Sequence, residues 1–198
     1  MTRRSLVVLV ILALAGAVLG SLLAWIGLAK RAPPAPIDPV PRTAVLIDHQ
    51  GKPLDLSALR GRPAIVFFGF TFCPDVCPTH LGHLAKILHG LGPDADRVTA
   101  LFISVDPERD TPEKLREFVA CFHPRLIGAT GTPALVAAAA KSFGASYRRS
   151  DAVAPDPAWY LIDHSTQMYV LDRDGRWCAT FGAETPIPVA TDLIRRLL

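Results

Sequence analysis

Two cysteines four residues apart, in the string Cys73-Pro74-Asp75-Val76-Cys77, have the types and spacing to do chemistry. A thiolate is both a nucleophile and a soft metal donor. The pair follows a continuous apolar run, Ala64 to Phe70 (AIVFFGF), of the length expected for a strand buried on both faces. Beyond it Pro78 opens a helical pattern with Leu81, Leu84, Ala85 and Leu88 on one face, so Cys77 falls at or beside the N-cap. At such a junction the helix's free N–H groups and positive dipole end favour thiolate over thiol. Thiolates select Cu(I), zinc or iron-sulfur clusters over hard cations, and an added imidazole suits copper or zinc. A plain disulfide between Cys73 and Cys77 fits the same spacing outside the cytoplasm, and so does thiol exchange with a partner.

The third donor must come from elsewhere in the fold. Of the six histidines, His164 is the best placed: it follows an apolar strand in YLIDHS and falls in an expected strand-connecting loop, where functional side chains are often presented. His80, His83 and His89 belong to the helix after the cysteines, and His49 and His123 to a turn and a helix end. These five are read as solvated surface residues, although His80, three residues past Cys77, can also face the site. Cys121 and Cys178 are read as small hydrophobes without a function, and sequence does not decide whether they pair.

The elements that position these residues alternate. Thr43 to Asp48 and Leu54 to Leu56 flank the turn signal HQGKP and read as a hairpin. After the cysteine helix, Gly92 and Pro93 break the pattern, Val98 to Val105 forms a second buried strand, and Thr111-Pro112 starts a helix with Leu115, Phe118, Val119 and Phe122 inward. A short strand near Leu126 to Gly128 leads to a helix from Pro133 to Phe143. Trp159 to Ile162 and Met168 to Asp172 then flank Asp163 to Thr166, and the turn DRDG, a strand Trp177 to Phe181 and a helix Pro188 to Leu197 close the chain. That order predicts an α/β sandwich around a mixed sheet.

Ahead of this domain, Ser5 to Ala29 carries no charge, and as a helix it would exceed a roughly 30 Å hydrocarbon core. It runs on past the length of a cleaved signal's apolar region, which predicts an uncleaved anchor at residues 1–31. Arg3 and Arg4 at the start resemble the n-region of an export signal and put the main domain outside, with the periplasmic side of a cell inner membrane as the expected location. Ala32 to Pro41 (APPAPIDPVP) has five prolines in ten residues, a semi-rigid spacer at residues 32–42 before the domain at residues 43–198. The formal charge of +3 is spread along a chain half of whose residues are hydrophobic, with no basic run, so nucleic acid is not an expected partner.

The strings GFTFCPDVCPTHL, ISVDPERDTPEKL and YLIDHSTQMYVLDRDG, in that order and spacing, resemble the signature blocks of the SCO/SenC family. The resemblance covers roughly Val45 to the C-terminus. It implies a thioredoxin-like fold tethered by one transmembrane helix, and copper bound by Cys73, Cys77 and His164. It further implies a role in building the binuclear copper centre of cytochrome c oxidase subunit II, by copper delivery, by reduction of that centre's cysteines through a redox-active Cys73 and Cys77, or by both. Asp75 and Asp163 match the family pattern and are expected to tune the ligands rather than bind metal. Phe72 stands where many members have histidine, a change that leaves the ligands intact. Of the competing functions, a thiol-disulfide oxidoreductase gives His164 no role, and the extra residue of CxxxC relative to CxxC widens the pair in favour of chelation. A peroxidase built on Thr71 and Cys73 leaves both Cys77 and His164 incidental. No residue is assigned a purely catalytic role.

Overall fold

The computed structural model describes Gly16, residues 45–150 and residues 160–198. The chain divides into two compact units, Met1–Ala35 and Pro36–Leu198; of the first only Gly16 is described. Apart from Gly16, the expected anchor and linker therefore lie outside the described residues, as do Thr43 and Trp159 at the starts of two expected strands. No helix among the described residues is long and apolar enough to cross a membrane.

The second unit is a mixed α/β fold. Its strands are β1 (Val45–Asp48), β2 (Pro53–Asp55), β3 (Ala64–Gly69), β4 (Thr99–Ser104), β5 (Leu126–Thr130), β6 (Tyr147–Arg149), β7 (Ile162–His164), β8 (Met168–Leu171) and β9 (Trp177–Phe181). Its helices are α1 (Val76–Leu91), α2 (Pro112–Ala120), α3 (Pro133–Ser142) and α4 (Ile187–Arg195). Seven strands form one sheet in the order β2-β1-β5-β4-β3-β8-β9. The centre, β3, β4 and β5, is parallel, and β1 and β8 are antiparallel to their neighbours. Parallel neighbours need crossover helices, which α1 and α2 supply.

Every residue of β3 is buried, the condition under which a strand reads as a continuous apolar run rather than an alternating one. Successive side chains still point to opposite faces. Phe67 meets His80 of α1, and its in-register neighbour Phe102 meets Phe118 of α2; Phe68 instead meets Phe143, just past α3. The sheet is thus covered on both faces, and the C-terminal end of β3 is left as the place from which the cysteine loop emerges.

Local signals account for the boundaries. Thr111 and Thr132 accept hydrogen bonds from the third residues of α2 and α3, each followed by proline at the first helical position. In the turns HQGKP and DRDG, Asp48 and Asp172 each accept two backbone N–H bonds through Oδ1, and Gly51 and Gly175 take the positive φ that closes them. Helix α1 starts at Val76, two residues before the proline that was expected to open it. Pro78 is its third residue, where the missing N–H would have no intrahelical partner.

The region of His164 departs from expectation. The apolar run ahead of it is not one arm of a hairpin with β8. Instead β7 pairs with β6, which the sequence did not suggest, in a separate two-stranded sheet in which Tyr147 faces His164 across the ladder. His164 is the last residue of this strand rather than part of a connecting loop. The hairpin around DRDG is formed as expected, by β8 and β9.

Candidate metal centre

Cys73, Cys77 and His164 converge: Cys73 Sγ, Cys77 Sγ and a ring nitrogen of His164 all lie within 4.8 Å of one another. Three elements supply them, namely the loop after β3, the first turn of α1 and the end of β7. Cys77 is fully buried, whereas Cys73 and His164 are half-buried.

The helix N-terminus supplies part of the local electrostatics. Asp75 is the N-cap of α1 by position but makes no side-chain cap bond. Cys73 Sγ takes that place, accepting the N–H of Cys77 at 3.4 Å. A sulfur that caps a helix is favoured as thiolate by the N–H groups and the dipole. Cys73 is accordingly pulled down to about 3, chiefly because the Cys77 thiol donates to it; burial opposes this, and His164 and the backbone N–H groups of Cys77 and Asp75 help. Cys77 moves the other way, pushed up because it holds the proton given to Cys73 and because it is buried. In the apo pair this favours a half-buried thiolate at Cys73 and a buried thiol at Cys77.

His164 presents Nε2 to the sulfurs, 3.4 Å from Cys77 Sγ. Its Nδ1 lies 2.9 Å from the Ser165 carbonyl, which can only accept, so the Nδ1 proton is donated there and Nε2 keeps its lone pair in the neutral ring. Phe67 and Phe70 meet the imidazole edge-on, at centroid distances of 6.0 and 5.9 Å. Metal bonds of about 2.0–2.3 Å to sulfur and nitrogen put three donors roughly 3.5–4 Å apart, so a thiophilic ion fits with small side-chain shifts.

The remaining sequence candidates sit nearby without joining the cluster. The Asp75 carboxylate lies 3.3 Å from Thr79 Oγ1, and Asp75 reaches Cys73 only through its backbone N–H. Asp163 pairs with Arg148 at 3.2 Å, one residue from His164 and hence on the opposite face of β7. His80 stacks on Phe67 with its Nδ1 on the Val76 carbonyl, so it is a wall behind the site rather than a solvated residue. The surface reading also fails for His123, which is buried and accepts the Arg125 N–H, and for His49, which accepts the Gly128 N–H. Burial holds the His123 imidazole below the usual histidine range. All four cysteines are free thiols: Cys121 donates to the Glu117 carbonyl and Cys178 to the Val170 carbonyl.

Residue-by-residue reading missed the support beneath the site. Asp110, fully buried, accepts from Thr71 N–H, Thr71 Oγ1 and Ser104 Oγ, and burial raises its carboxyl above the usual range. Asp106 accepts from Tyr160 and Arg109, and burial together with that bond pushes the Tyr160 phenol up to about 12. The available signal was the block ISVDPERDTPEKL, with two acids between a buried strand and a capped helix.

The SCO1/SenC family model matches residues 40–198. Among curated proteins, an SCO2-like protein of Rickettsia prowazekii is 38% identical over 136 residues, covering 69% of this chain and 66% of the relative. The mitochondrial SCO2 homolog of Homo sapiens is 36% identical over 153 residues, covering 76% and 57%. The match thus spans just under two thirds of the length of the first relative and less of the second. Among solved structures, copper-bound ScoI of Bradyrhizobium japonicum is similar with a TM-score of 0.72 at 39% identity, covering 78% of this chain and 96% of that one. Copper-bound yeast Sco1 has a TM-score of 0.70 at 33% identity, covering 77% and 84%.

Proposed function

The chain belongs to the SCO1/SenC family, and on that basis we propose that it is a copper chaperone of cytochrome c oxidase assembly that carries one copper ion between Cys73, Cys77 and His164. The observation that carries this reading is the convergence of two sulfurs and an imidazole nitrogen within 4.8 Å on three separate elements. Two soft sulfurs and one nitrogen form a donor set suited to Cu(I), the cargo.

The arrangement also suits release. Cys73 is half-buried and already a thiolate, so an incoming ligand exchanges there first, while Cys77 holds the ion from below. A cleft of about 230 Å³ lined by Ser146, Tyr147, Arg148, Asp163, His164 and Ser165 opens the histidine side to solvent. The receiving site is the binuclear copper centre of the oxidase's subunit II. Asp75 acts on Cys73 through its backbone, and Asp163 with Arg148 restrains β7, which is how each would tune the ligands. Reduction of the partner's cysteines is the weaker reading, because thiol exchange uses Cys73 and Cys77 and leaves His164 without a part.

Residues 1–31 anchor the protein in the inner membrane through the uncharged run Ser5 to Ala29, residues 32–42 space it from the bilayer, and residues 43–198 carry copper on the periplasmic side. The test uses the full-length chain in detergent, reduced anaerobically and titrated with Cu(I). Wild type should bind one copper, Cys73→Ala and Cys77→Ala should lose it, and His164→Ala should lose tight binding while its thiols remain redox-active. Tight binding retained in His164→Ala sinks the ligand assignment, and wild type without copper sinks the chaperone reading.

A further inference from the structure

The strand that carries His164 is held to the rest of the fold unusually. Among the described residues its ladder runs only to β6, and neither strand is hydrogen-bonded into the seven-stranded sheet. The cysteines, in contrast, leave directly from β3 at the centre of that sheet. His164 is tied to the sheet by the three-residue link to β8, itself paired with β3, and by its ring packing on Phe67 and Phe70; side chains of the five residues Asp106 to Asp110, between β4 and α2, reach both the cysteine and the histidine halves as well.

Asp110 serves the cysteine half. Its Oδ2 accepts the Thr71 N–H at 2.9 Å and its Oδ1 the Thr71 hydroxyl at 2.6 Å, two residues before Cys73. Asp106 serves the histidine half, where its Oδ1 accepts the Tyr160 hydroxyl at 2.6 Å, four residues before His164. One side chain links the two residues: Ser104 Oγ donates to the Asp110 carboxylate and accepts the backbone N–H of Asp106. Arg109, ion-paired to Asp106, lies 3.5 Å over the Tyr160 ring and 4.9 Å from the Phe72 ring, so its guanidinium touches an aromatic from each half. Asp106 and Asp110 are 2% and 0% exposed, and buried acids at such positions need a structural return for their desolvation.

We propose that this turn is a positioning clasp, in which Asp110 fixes the cysteine loop through Thr71 and Asp106 fixes the His164 strand through Tyr160, so that one short segment sets the geometry of the whole metal site. The proposal rests on the copper reading above and assigns a role to the block ISVDPERDTPEKL, which supplies no ligand.

Tyr160→Phe is the selective variant, because it keeps the ring under Arg109 and removes only the hydroxyl. In the full-length chain it should lower Cu(I) affinity roughly 10- to 100-fold, the range for losing a group that orients a ligand, and weaken the imidazole nitrogen coupling in the electron paramagnetic resonance spectrum of the Cu(II) form. In a His164→Ala background the same change should cost no further affinity, since it acts through a ligand already gone, whereas Thr71→Val should still add a loss through the cysteine half. Without metal, hydrogen exchange at the amides of Ile162 to His164 should rise about ten-fold while β3 and β4 stay protected. Wild-type affinity and exchange in Tyr160→Phe overturn the clasp, as do losses that simply add in the His164→Ala background. If His164→Ala itself binds copper as wild type does, the ligand reading fails, and the exchange measurement still decides whether Tyr160 holds β7.

Discussion

Cys73 and Cys77 divide one proton unequally because their surroundings differ. Cys73 receives hydrogen bonds from the Cys77 thiol and from backbone N–H groups at the start of α1, while Cys77 has no exposed surface and is the donor to its neighbour. In apoprotein at pH 5, where an ordinary thiol is thiolate in only about one molecule in three thousand, iodoacetamide should therefore alkylate Cys73 and spare Cys77. Equal labelling, or labelling of Cys77 first, contradicts the assignment; peptide mass mapping reads it directly. The same shift fixes a sign for stability. A group whose folded pKa lies below its unfolded value favours the fold fully above the ordinary thiol range, near 9, and loses that contribution as pH falls toward about 3. Thermal unfolding should then show apo wild type gaining on Cys73→Ser as pH rises from 4 to 8, and a difference that shrinks over that interval would refute it.

At the scale of elements, the end of β3 and the start of α1 must approach closely for Cys77 to sit under the site, and Gly69 is what permits it. A Cβ at position 69 would lie 2.5 Å from Cys77 Sγ and 2.9 Å from the Phe102 ring, so Gly69→Ala must push Cys77 away or splay β3 from β4. The expected outcome is a loss of about 1–3 kcal/mol in urea unfolding, together with weaker copper binding. Full affinity in the variant means that Cys77 does not depend on this contact. Legibility follows the same division. β3, β4, α1 and α2 could be read because complete burial and helical periodicity both leave composition signals. β6 could not: Tyr-Arg-Arg is three residues long with two exposed, and its reason to be a strand lies entirely in its partner β7. His164 was found from its motif while its setting, a strand end rather than a loop, was not. Asp106 and Arg109 pair locally, but the bonds from Thr71 to Asp110 and from Tyr160 to Asp106 span 39 and 54 residues, which no local pattern encodes.

For the whole molecule, the proposed copper role raises the question of what a membrane anchor at residues 1–31 and a spacer at residues 32–42, both proposed from the sequence, would add to the metal site. If copper is held by the three donors proposed above it would leave slowly on its own, so transfer would depend on encounters in which a partner ligand enters while Cys73 departs, and the frequency of such encounters would set the rate. Confining carrier and oxidase to one membrane raises their effective concentration, and linked sites can gain several orders of magnitude in engagement without any new contact. On that proposal, the five prolines between Ala32 and Pro41 would favour a semi-rigid spacer over a flexible one, which would restrict the volume a tethered domain explores. Replacing residues 1–31 with a cleavable export signal should leave copper stoichiometry and the Cys73 alkylation pattern unchanged, yet lower oxidase activity in membranes roughly 10-fold or more at equal protein level. Recovery of that activity by fusing an unrelated transmembrane helix would show that proximity, not the anchor's sequence, is what the segment supplies. An untethered domain that supports full oxidase activity at the same level would instead mean that diffusion in the periplasm suffices and that the N-terminal segment does not limit transfer.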